Sequence, residues 1–208
     1  MLRIGITGGI GSGKSTVCHI YRLLGIPVFN SDWEARNLMN QDQDLIKAIK
    51  LHFGEDIYTP DGKLNREKMA GQVFGQEEKL NTLNSLVHPA VFREFDQWST
   101  RLEKESPGRI PFCIKEAAIL FESKSHVQND FNVLVSAPYA IRMERVKARD
   151  GLSEEKIQER MRNQMPEEEK EKLADFILYN DDKHSLIEQA LYLYSIWFPS
   201  KQIPEKEV

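Results

Sequence analysis

Eight residues near the start of the chain have the types and the spacing of a phosphate-binding loop, the P-loop. Residues 8–15 read Gly-Gly-Ile-Gly-Ser-Gly-Lys-Ser, with glycine first and sixth, lysine seventh and a hydroxyl residue eighth. The glycines let successive backbone N–H groups turn toward phosphate oxygens. Lys14 would place a positive charge beside the β- and γ-phosphates, and Ser15 would offer an oxygen to Mg²⁺. These residues predict a nucleoside triphosphate site.

The segments on either side of the loop are those that a P-loop needs. Residues 2–7 are an apolar, strand-like run, and residues 16–24 have a helical pattern. The helix dipole would add to the positive field at the loop. The alternative, a glycine-rich turn that binds nothing, does not account for this placement. The glycines do not fall at positions one, three and six, which disfavours an NAD or FAD site.

Which class of P-loop protein this is depends on residues outside the loop. Guanine-specific GTPases carry an Asn-Lys-x-Asp element, whereas residues 180–183 read Asn-Asp-Asp-Lys. The Ser-Gly-Gly-Gln signature of transporter ATPases is missing from the sequence, and residues 114–116 are at best an abbreviated form of the acidic strand of ring ATPases. A kinase of nucleotide-like or metabolite substrates remains.

Asp32 is the candidate for orienting or deprotonating the attacking hydroxyl group. It follows the second predicted strand, and the carboxyl ends of strands in open α/β sheets line the ligand crevice. The alternative is that Asp32 or Ser31 is the N-cap of the next helix. The sequence leaves both readings open.

Several arginines could neutralise the phosphoryl group as it moves. Their spacing of three and four residues places three of them on one helix, and two more follow on its partner. A solvated helix face with Arg–Glu pairs is an equally good reading for any one of them. His88 could be an acid or a base, but a lone histidine before proline is more often structural. The five arginines are Arg142, Arg145, Arg149, Arg160 and Arg162.

Strand-like and helix-like segments alternate along the chain. Near-continuous apolar runs separated by amphipathic helices predict a parallel sheet covered on both faces. Gly25 and Pro27 end the first helix and begin the second strand. The five strand-like segments are residues 2–7, 27–30, 110–117, 131–136 and 176–179.

The remaining segments are predicted to be helical. Residues 31–109 lie between the second and third strands, are too long for a simple crossover, and predict a helical insertion against the sheet edge that binds a second substrate. Within them we expect one helix capped at Asn65 and another beginning near His88 and Pro89. Residues 138–165 predict a helical hairpin with Ser153 as the N-cap of its second helix.

The end of the chain is expected to close the core. Residues 185–197 predict a last helix whose apolar face carries Leu186, Ala190, Leu193 and Trp197. Residues from Pro199 onward read as a frayed tail.

Composition indicates an ordinary globular protein. The 208 residues suit one α/β domain, residues 1–208, with a modest insertion. A net charge of −4, with the basic residues dispersed, disfavours a nucleic-acid partner, and no apolar run approaches the ~20 residues of a membrane span. Cys18 and Cys113 have neither metal-ligand nor redox-motif spacing. We therefore expect free thiols and a cytoplasmic protein.

Beyond the loop, ordered motifs resemble those of the dephospho-coenzyme A kinase family over about residues 2–195. Asn30, Asn65 and Glu116 stand where aspartate is usual, and Arg142 stands where glutamine is usual. The matching motifs are residues 7–16, 24–32, 62–66, 73–74, 88–89 and 116–122, then Arg145, Arg149, Asp150, Gly151, Arg160, Gln164, Ala174, Asp175 and Asn180.

The resemblance implies a three-layer α/β P-loop fold with five parallel strands in the order 2-3-1-4-5, a helical acceptor-binding insertion and a helical lid. It implies ATP-dependent phosphorylation of the ribose 3′-hydroxyl of dephospho-CoA, the last step of coenzyme A synthesis. The alternatives are another P-loop nucleoside or nucleotide kinase, or a nucleotide-sensing module without activity. A small-molecule acceptor and a monomer are expected, and an oligomer is left open.

The resemblance also assigns roles to residues. Asp32 and Lys14 would act in catalysis, with Asp32, Arg66 and His88 on the acceptor side. Ser15 and Glu116 would hold Mg²⁺, the latter through water. The residues expected to contact ATP are Gly8, Gly9, Ile10, Gly11, Ser12, Gly13, Lys14, Ser15, Thr16, Arg145, Arg149 and Asn180.

Overall fold

A five-stranded parallel sheet organises the protein. The computed structural model describes residues 1–198 of the chain. The strands lie in the order β2-β3-β1-β4-β5, which confirms the expected order and the three-layer α/β fold. In register, Ile4 of β1 lies opposite Ile114 of β3 and Phe131 of β4. The strands are β1 (Leu2–Thr7), β2 (Val28–Asn30), β3 (Phe112–Glu116), β4 (Phe131–Ser136) and β5 (Phe176–Tyr179).

Helices occupy most of the chain between the strands. Short 3₁₀ turns lie at Glu55–Ile57 and Ser125–Gln128. The α-helices in residues 1–198 are α1 (Lys14–Leu23), α2 (Ser31–Gln41), α3 (Gln43–Phe53), α4 (Arg66–Val73), α5 (Glu77–Glu105), α6 (Tyr139–Asp150), α7 (Glu154–Arg162), α8 (Glu167–Leu173) and α9 (Leu186–Trp197). None of them is both long enough and apolar enough to cross a membrane.

The chain divides into two compact units. The sheet unit consists of Met1–Phe29 and the chain from Arg101 onward, and it contains the P-loop and all strand residues except Asn30. The helical unit is Asn30–Thr100, and it contains α2, α3, α4 and most of α5.

The core of the sheet unit lies between the strands, α1 and α9. Every residue of β3 is buried, including Lys115 and Glu116 at its carboxyl end, as expected for a strand covered on both faces. Trp197 of α9 packs edge-on against Phe112 and Phe176, with ring centroids 5.4 and 5.7 Å away. Ala190 and Leu193 are buried in the same core. The prediction that the last helix closes the core is confirmed.

The boundaries of α1 follow from two glycines. Gly13 precedes its first residue and Gly25 follows its end, both in the left-handed region with φ of 99° and 79°. That conformation favours glycine, because a Cβ meets the backbone there. The predicted stop of the first helix before Gly25 is confirmed.

One predicted helix start is wrong. No helix begins at His88 and Pro89, because α5 runs unbroken from Glu77 to Glu105 with Pro89 inside it. An interior proline removes one backbone hydrogen bond and costs about 3 kcal/mol. The helix tolerates it because the flanking residues Val87, Ala90 and Val91 are buried on the other face.

Other local expectations have mixed outcomes. Asn65 caps α4 by accepting the Lys68 N–H at 3.0 Å, as expected. Ser153 occupies the N-cap position of α7 but makes no side-chain cap hydrogen bond there. The sequence patterns did not predict the charged helix α8. The tail predicted from Pro199 onward lies outside the described residues.

Candidate functional site

The P-loop follows β1 and leads into α1. Lys14 and Ser15 are the first two residues of that helix, so the N–H groups of its first turn and its dipole face the loop. The Nζ of Lys14 donates to the carbonyl oxygens of Gly8 at 2.7 Å and Gly9 at 3.4 Å. The lysine charge therefore lies across the concave side of the loop, where phosphate oxygens would bind.

Asn180 supports the loop from the segment after β5. Its Nδ2 donates to the carbonyl of Ser12 at 2.8 Å, and a Cβ on Gly13 would lie 2.2 Å from the same nitrogen. Arg145 of α6 in turn donates to the backbone oxygen of Asn180 at 3.3 Å and to Asp182 at 2.9 Å. Glycine at position 13 is thus required by its backbone angle and by its neighbour.

Ser15 and Glu116 bring two oxygen donors together. The Ser15 hydroxyl donates to Oε1 of Glu116 at 2.9 Å, from the start of α1 to the carboxyl end of β3. Glu116 is only 5% exposed, and Oε2 lies 3.8 Å from Nη2 of Arg22. A hydroxyl and a carboxylate beside a phosphate cradle suit Mg²⁺, which binds through one or two carboxylates, substrate phosphates and water. Within residues 1–198, no three or more His, Cys, Asp and Glu side chains lie close enough together to hold a metal ion.

The arginines of α6 and α7 divide into two groups. Arg142 lies against the loop, because a Cβ on Gly9 would be 2.1 Å from its Nη1. Arg145 reaches the loop through Asn180. Arg149 and Arg160 instead bind the carboxylate of Asp150, at 2.7 and 3.4 Å. The hydrogen bond from Arg149 to Asp150 raises the pKa of Arg149. The sequence favours Arg145 and Arg149, whereas the structure places Arg142 against the loop and Arg149 on Asp150.

Comparisons with known proteins show which family the chain belongs to. Residues 2–185 match the family model described as dephospho-CoA kinase. The chain belongs to the dephospho-CoA kinase family. It is 41% identical to the dephospho-CoA kinase of Salinibacter ruber over 181 residues, covering 87% of this chain and 89% of that one.

Two solved structures extend the likeness to the fold. A crystal structure of a Thermus thermophilus protein is 37% identical in sequence and has a TM-score of 0.81. The match covers 96% of this chain and 98% of that one. The dephospho-CoA kinase of Campylobacter jejuni is 22% identical with a TM-score of 0.60, covering 94% of this chain and 96% of that one. At that identity the second likeness concerns the fold alone.

A cavity of about 590 Å³ opens beside the loop in the sheet unit of this family member. Gly9 and Arg142 form the side next to the loop, and the other walls come from α6, α7 and the start of α8. Arg142 donates to Glu167 at 3.3 Å at its edge. The wall residues are Gly9, Tyr139, Arg142, Gln158, Met161, Arg162, Gln164, Met165, Pro166 and Glu167.

In the helical unit, Asp32 is exposed in the first turn of α2. The N-cap is Asn30, whose Oδ1 accepts the Trp33 N–H at 2.9 Å. The alternative that Asp32 or Ser31 caps this helix is therefore wrong. Asn30, which departs from the family's usual aspartate, has this structural task instead.

The two other acceptor-side candidates have different surroundings. Arg66 begins α4 and, with Arg36, lines an apolar cavity of about 220 Å³ in the helical unit. His88 lies within α5, and its ring stacks on Phe92 with centroids 6.4 Å apart. Burial lowers the pKa of His88, which favours a neutral, packed ring.

Proposed function

We propose that this protein transfers the γ-phosphoryl group of ATP to the ribose 3′-hydroxyl of dephospho-CoA, giving coenzyme A and ADP. Membership of the dephospho-CoA kinase family supports this acceptor. The observation that supports ATP as the phosphoryl donor is the P-loop, with the Lys14 side chain lying across its concave side. Phosphoryl transfer is catalysed mainly by positioning and charge, and both are built into this loop.

On the donor side, the loop and its neighbours hold the triphosphate. Backbone N–H groups of residues 8–16 and the Nζ of Lys14 bind the phosphates. Arg142 and Arg145 lie where they can neutralise charge on the moving phosphoryl group, since one contacts Gly9 and the other Asn180. We include Arg149 as a lid residue that reaches the nucleotide only after leaving Asp150.

Ser15 and Glu116 are the residues that would hold Mg²⁺. The hydroxyl would bind the metal directly, and the buried carboxylate would bind it directly or through water. The metal would supply positive charge beside the β- and γ-phosphates. The Ser15 hydroxyl donates to Glu116, so the two oxygens are already adjacent.

On the acceptor side, Asp32 orients or deprotonates the 3′-hydroxyl. Its exposed carboxylate in the first turn of α2 is not the helix cap, because Asn30 makes that contact. Arg66 contributes a positive charge for the acceptor phosphates, while His88 contributes packing. Residues 31–109 form the acceptor-binding insertion, and residues 138–165 form the lid that excludes water from the reaction.

We further propose that the protein acts in the cytoplasm as a monomer. Both cysteines, Cys18 and Cys113, are buried and free, as expected for a reducing compartment. Light scattering at micromolar concentration would measure the mass of the particle in solution against the 24.1 kDa of one chain.

The acceptor assay tests the proposed function. Purified protein with ATP and Mg²⁺ should form ADP and coenzyme A from dephospho-CoA, and much less ADP with AMP, CMP or UMP. Equal or greater turnover of a monophosphate would make it a nucleotide kinase. ATP binding with transfer to none of these acceptors would favour a nucleotide-sensing module.

The substitution Asp32→Asn tests the role of that carboxylate. We expect kcat to fall by at least ~10²-fold, because a general base typically contributes that much. Glu34→Gln, two residues along the same helix, is the matched control and should leave kcat near the wild-type value. Near-normal turnover of Asp32→Asn would show that the acceptor hydroxyl needs no help from this residue.

A further inference from the structure

One donor of the P-loop is already occupied by a side chain from a distant part of the sequence. The N–H of Ile10, the third residue of the loop, donates to Oε1 of Gln164 at 2.9 Å. Gln164 lies just after the end of α7, at the base of the α6–α7 hairpin. The amide is neutral and accepts a hydrogen bond, so it can satisfy a loop N–H without repelling phosphate.

Gln164 is held in place from behind. Its Nε2 approaches the carbonyl of Ala118 at 3.5 Å, and the N–H of the next residue, Met165, donates to Oε1 of Glu122 at 2.9 Å. The same carboxylate oxygen lies 3.1 Å from Nζ of Lys170, whose side chain is only 1% exposed. Glu122, in the segment after β3, thus binds the hairpin base through Met165 and α8 through Lys170.

The hairpin contacts the loop at a second, adjacent point. Arg142 of α6 leaves no room for a Cβ on Gly9, the residue before Ile10. Arg142 also donates to Glu167 at 3.3 Å, just beyond the hairpin base. Two consecutive loop residues therefore lie against the base of one hairpin, Ile10 through a hydrogen bond to Gln164 and Gly9 by close approach of Arg142.

We infer that Gln164 is a positioning residue for phosphoryl transfer. By holding the Ile10 N–H, it keeps the loop backbone in register with the hairpin that carries Arg142 and Arg145. Movement of the hairpin and the shape of the phosphate cradle are thereby coupled. This inference rests on the proposed function, since it concerns how well the γ-phosphate is placed for attack.

Gln164→Ala is the direct test, with Glu171→Ala as the control. Glu171 is exposed near the end of α8 and is not among the residues that line the cavity beside the loop. In Gln164→Ala we expect kcat to fall about 10- to 100-fold while KM for ATP changes little, because misplacement reduces transfer more than binding. The share of ATP hydrolysed without transfer should rise, and Glu171→Ala should match the wild type.

A readout without substrate separates this inference from the proposed function. In protein labelled with ¹⁵N-isoleucine, amide exchange of Ile10 should be about 5- to 10-fold faster in Gln164→Ala than in the wild type. Failure of dephospho-CoA as acceptor would reject the proposed function but leave this measurement and the ATP hydrolysis rate intact as tests of Gln164.

Gln164→Glu provides a second variant that keeps an acceptor oxygen. Ile10 exchange should stay slow, while the added negative charge should raise KM for ATP. Unchanged Ile10 exchange in Gln164→Ala would overturn the inference. So would a fall in kcat that Glu171→Ala shows equally, or a rise in KM for ATP with kcat intact in Gln164→Ala.

Discussion

Replacing Gly13 with alanine should damage the nucleotide site and the fold by an amount that the structure allows us to estimate. Gly13 has φ of 99°, and a left-handed conformation costs a residue with a Cβ about 1–2 kcal/mol. The added Cβ would lie 2.2 Å from Nδ2 of Asn180. The amide must move away and lose its hydrogen bond to Ser12, which contributes about 1 kcal/mol. The free energy of unfolding should fall by about 2–3 kcal/mol in total.

The other end of the same helix provides the control. Gly25 also has a left-handed backbone, but nothing lies within 4 Å of the position of its Cβ. Gly25→Ala should therefore cost only the backbone term of about 1–2 kcal/mol. Urea unfolding measures both values, and Gly13→Ala combined with Asn180→Ala should show that the excess depends on the Asn180 side chain.

Calorimetric titration with ATP completes this test. We expect Gly13→Ala to bind ATP at least ~10-fold more weakly, because the loop N–H groups no longer converge, and Gly25→Ala to bind normally. Equal unfolding free energies for the two variants, with ATP affinity unchanged in both, would refute the argument that Asn180 packs against the loop at Gly13.

Three further outcomes are expected. Lys14→Met should lower kcat about 10²- to 10³-fold in the acceptor assay with little change in melting temperature, because it removes charge from a partly exposed loop. Burial lowers the pKa of His88, so the folded state favours the neutral ring. The contribution of His88 to the free energy of unfolding is therefore complete above the pKa of the unfolded chain, about 6.5, and is lost as the pH falls through the lower pKa of the folded protein. Urea unfolding at pH 7 and pH 5 should show a smaller decrease for His88→Gln than for the wild type. Burial raises the pKa of Cys18, and that of Cys113 to about 12, so iodoacetamide should label both thiols far faster in denaturant than in the native protein.

Features that depend on neighbouring residues are well predicted by the sequence. The P-loop is one contiguous segment, and its glycines, lysine and serine act through local backbone geometry. Strands β1, β4 and β5 begin and end where the apolar runs do. The cap at Asn65 follows from a side chain that accepts the N–H group three residues away.

Local signals fail where packing outweighs them. Pro89 is a reasonable first residue of a helix, but burial of its neighbours in α5 keeps the helix continuous. Asp32, Ser31 and Asn30 are all good capping residues, so residue type alone does not choose among them. The backbone places Asn30 at the N-cap position and Asp32 in the first turn of the helix.

The sequence alone therefore determined that the protein has a triphosphate-binding loop on an α/β sheet, because that information lies in adjacent residues and in the period of apolar side chains. Only the tertiary structure decided which side chains surround the loop. Ser15 meets Glu116 across 101 positions, because parallel strands bring their carboxyl ends to one edge, and only the family resemblance pointed to that pair. Ile10 meets Gln164 across 154 positions, because the segment after α7 packs against the loop, and no local pattern specifies which residue the chain delivers there.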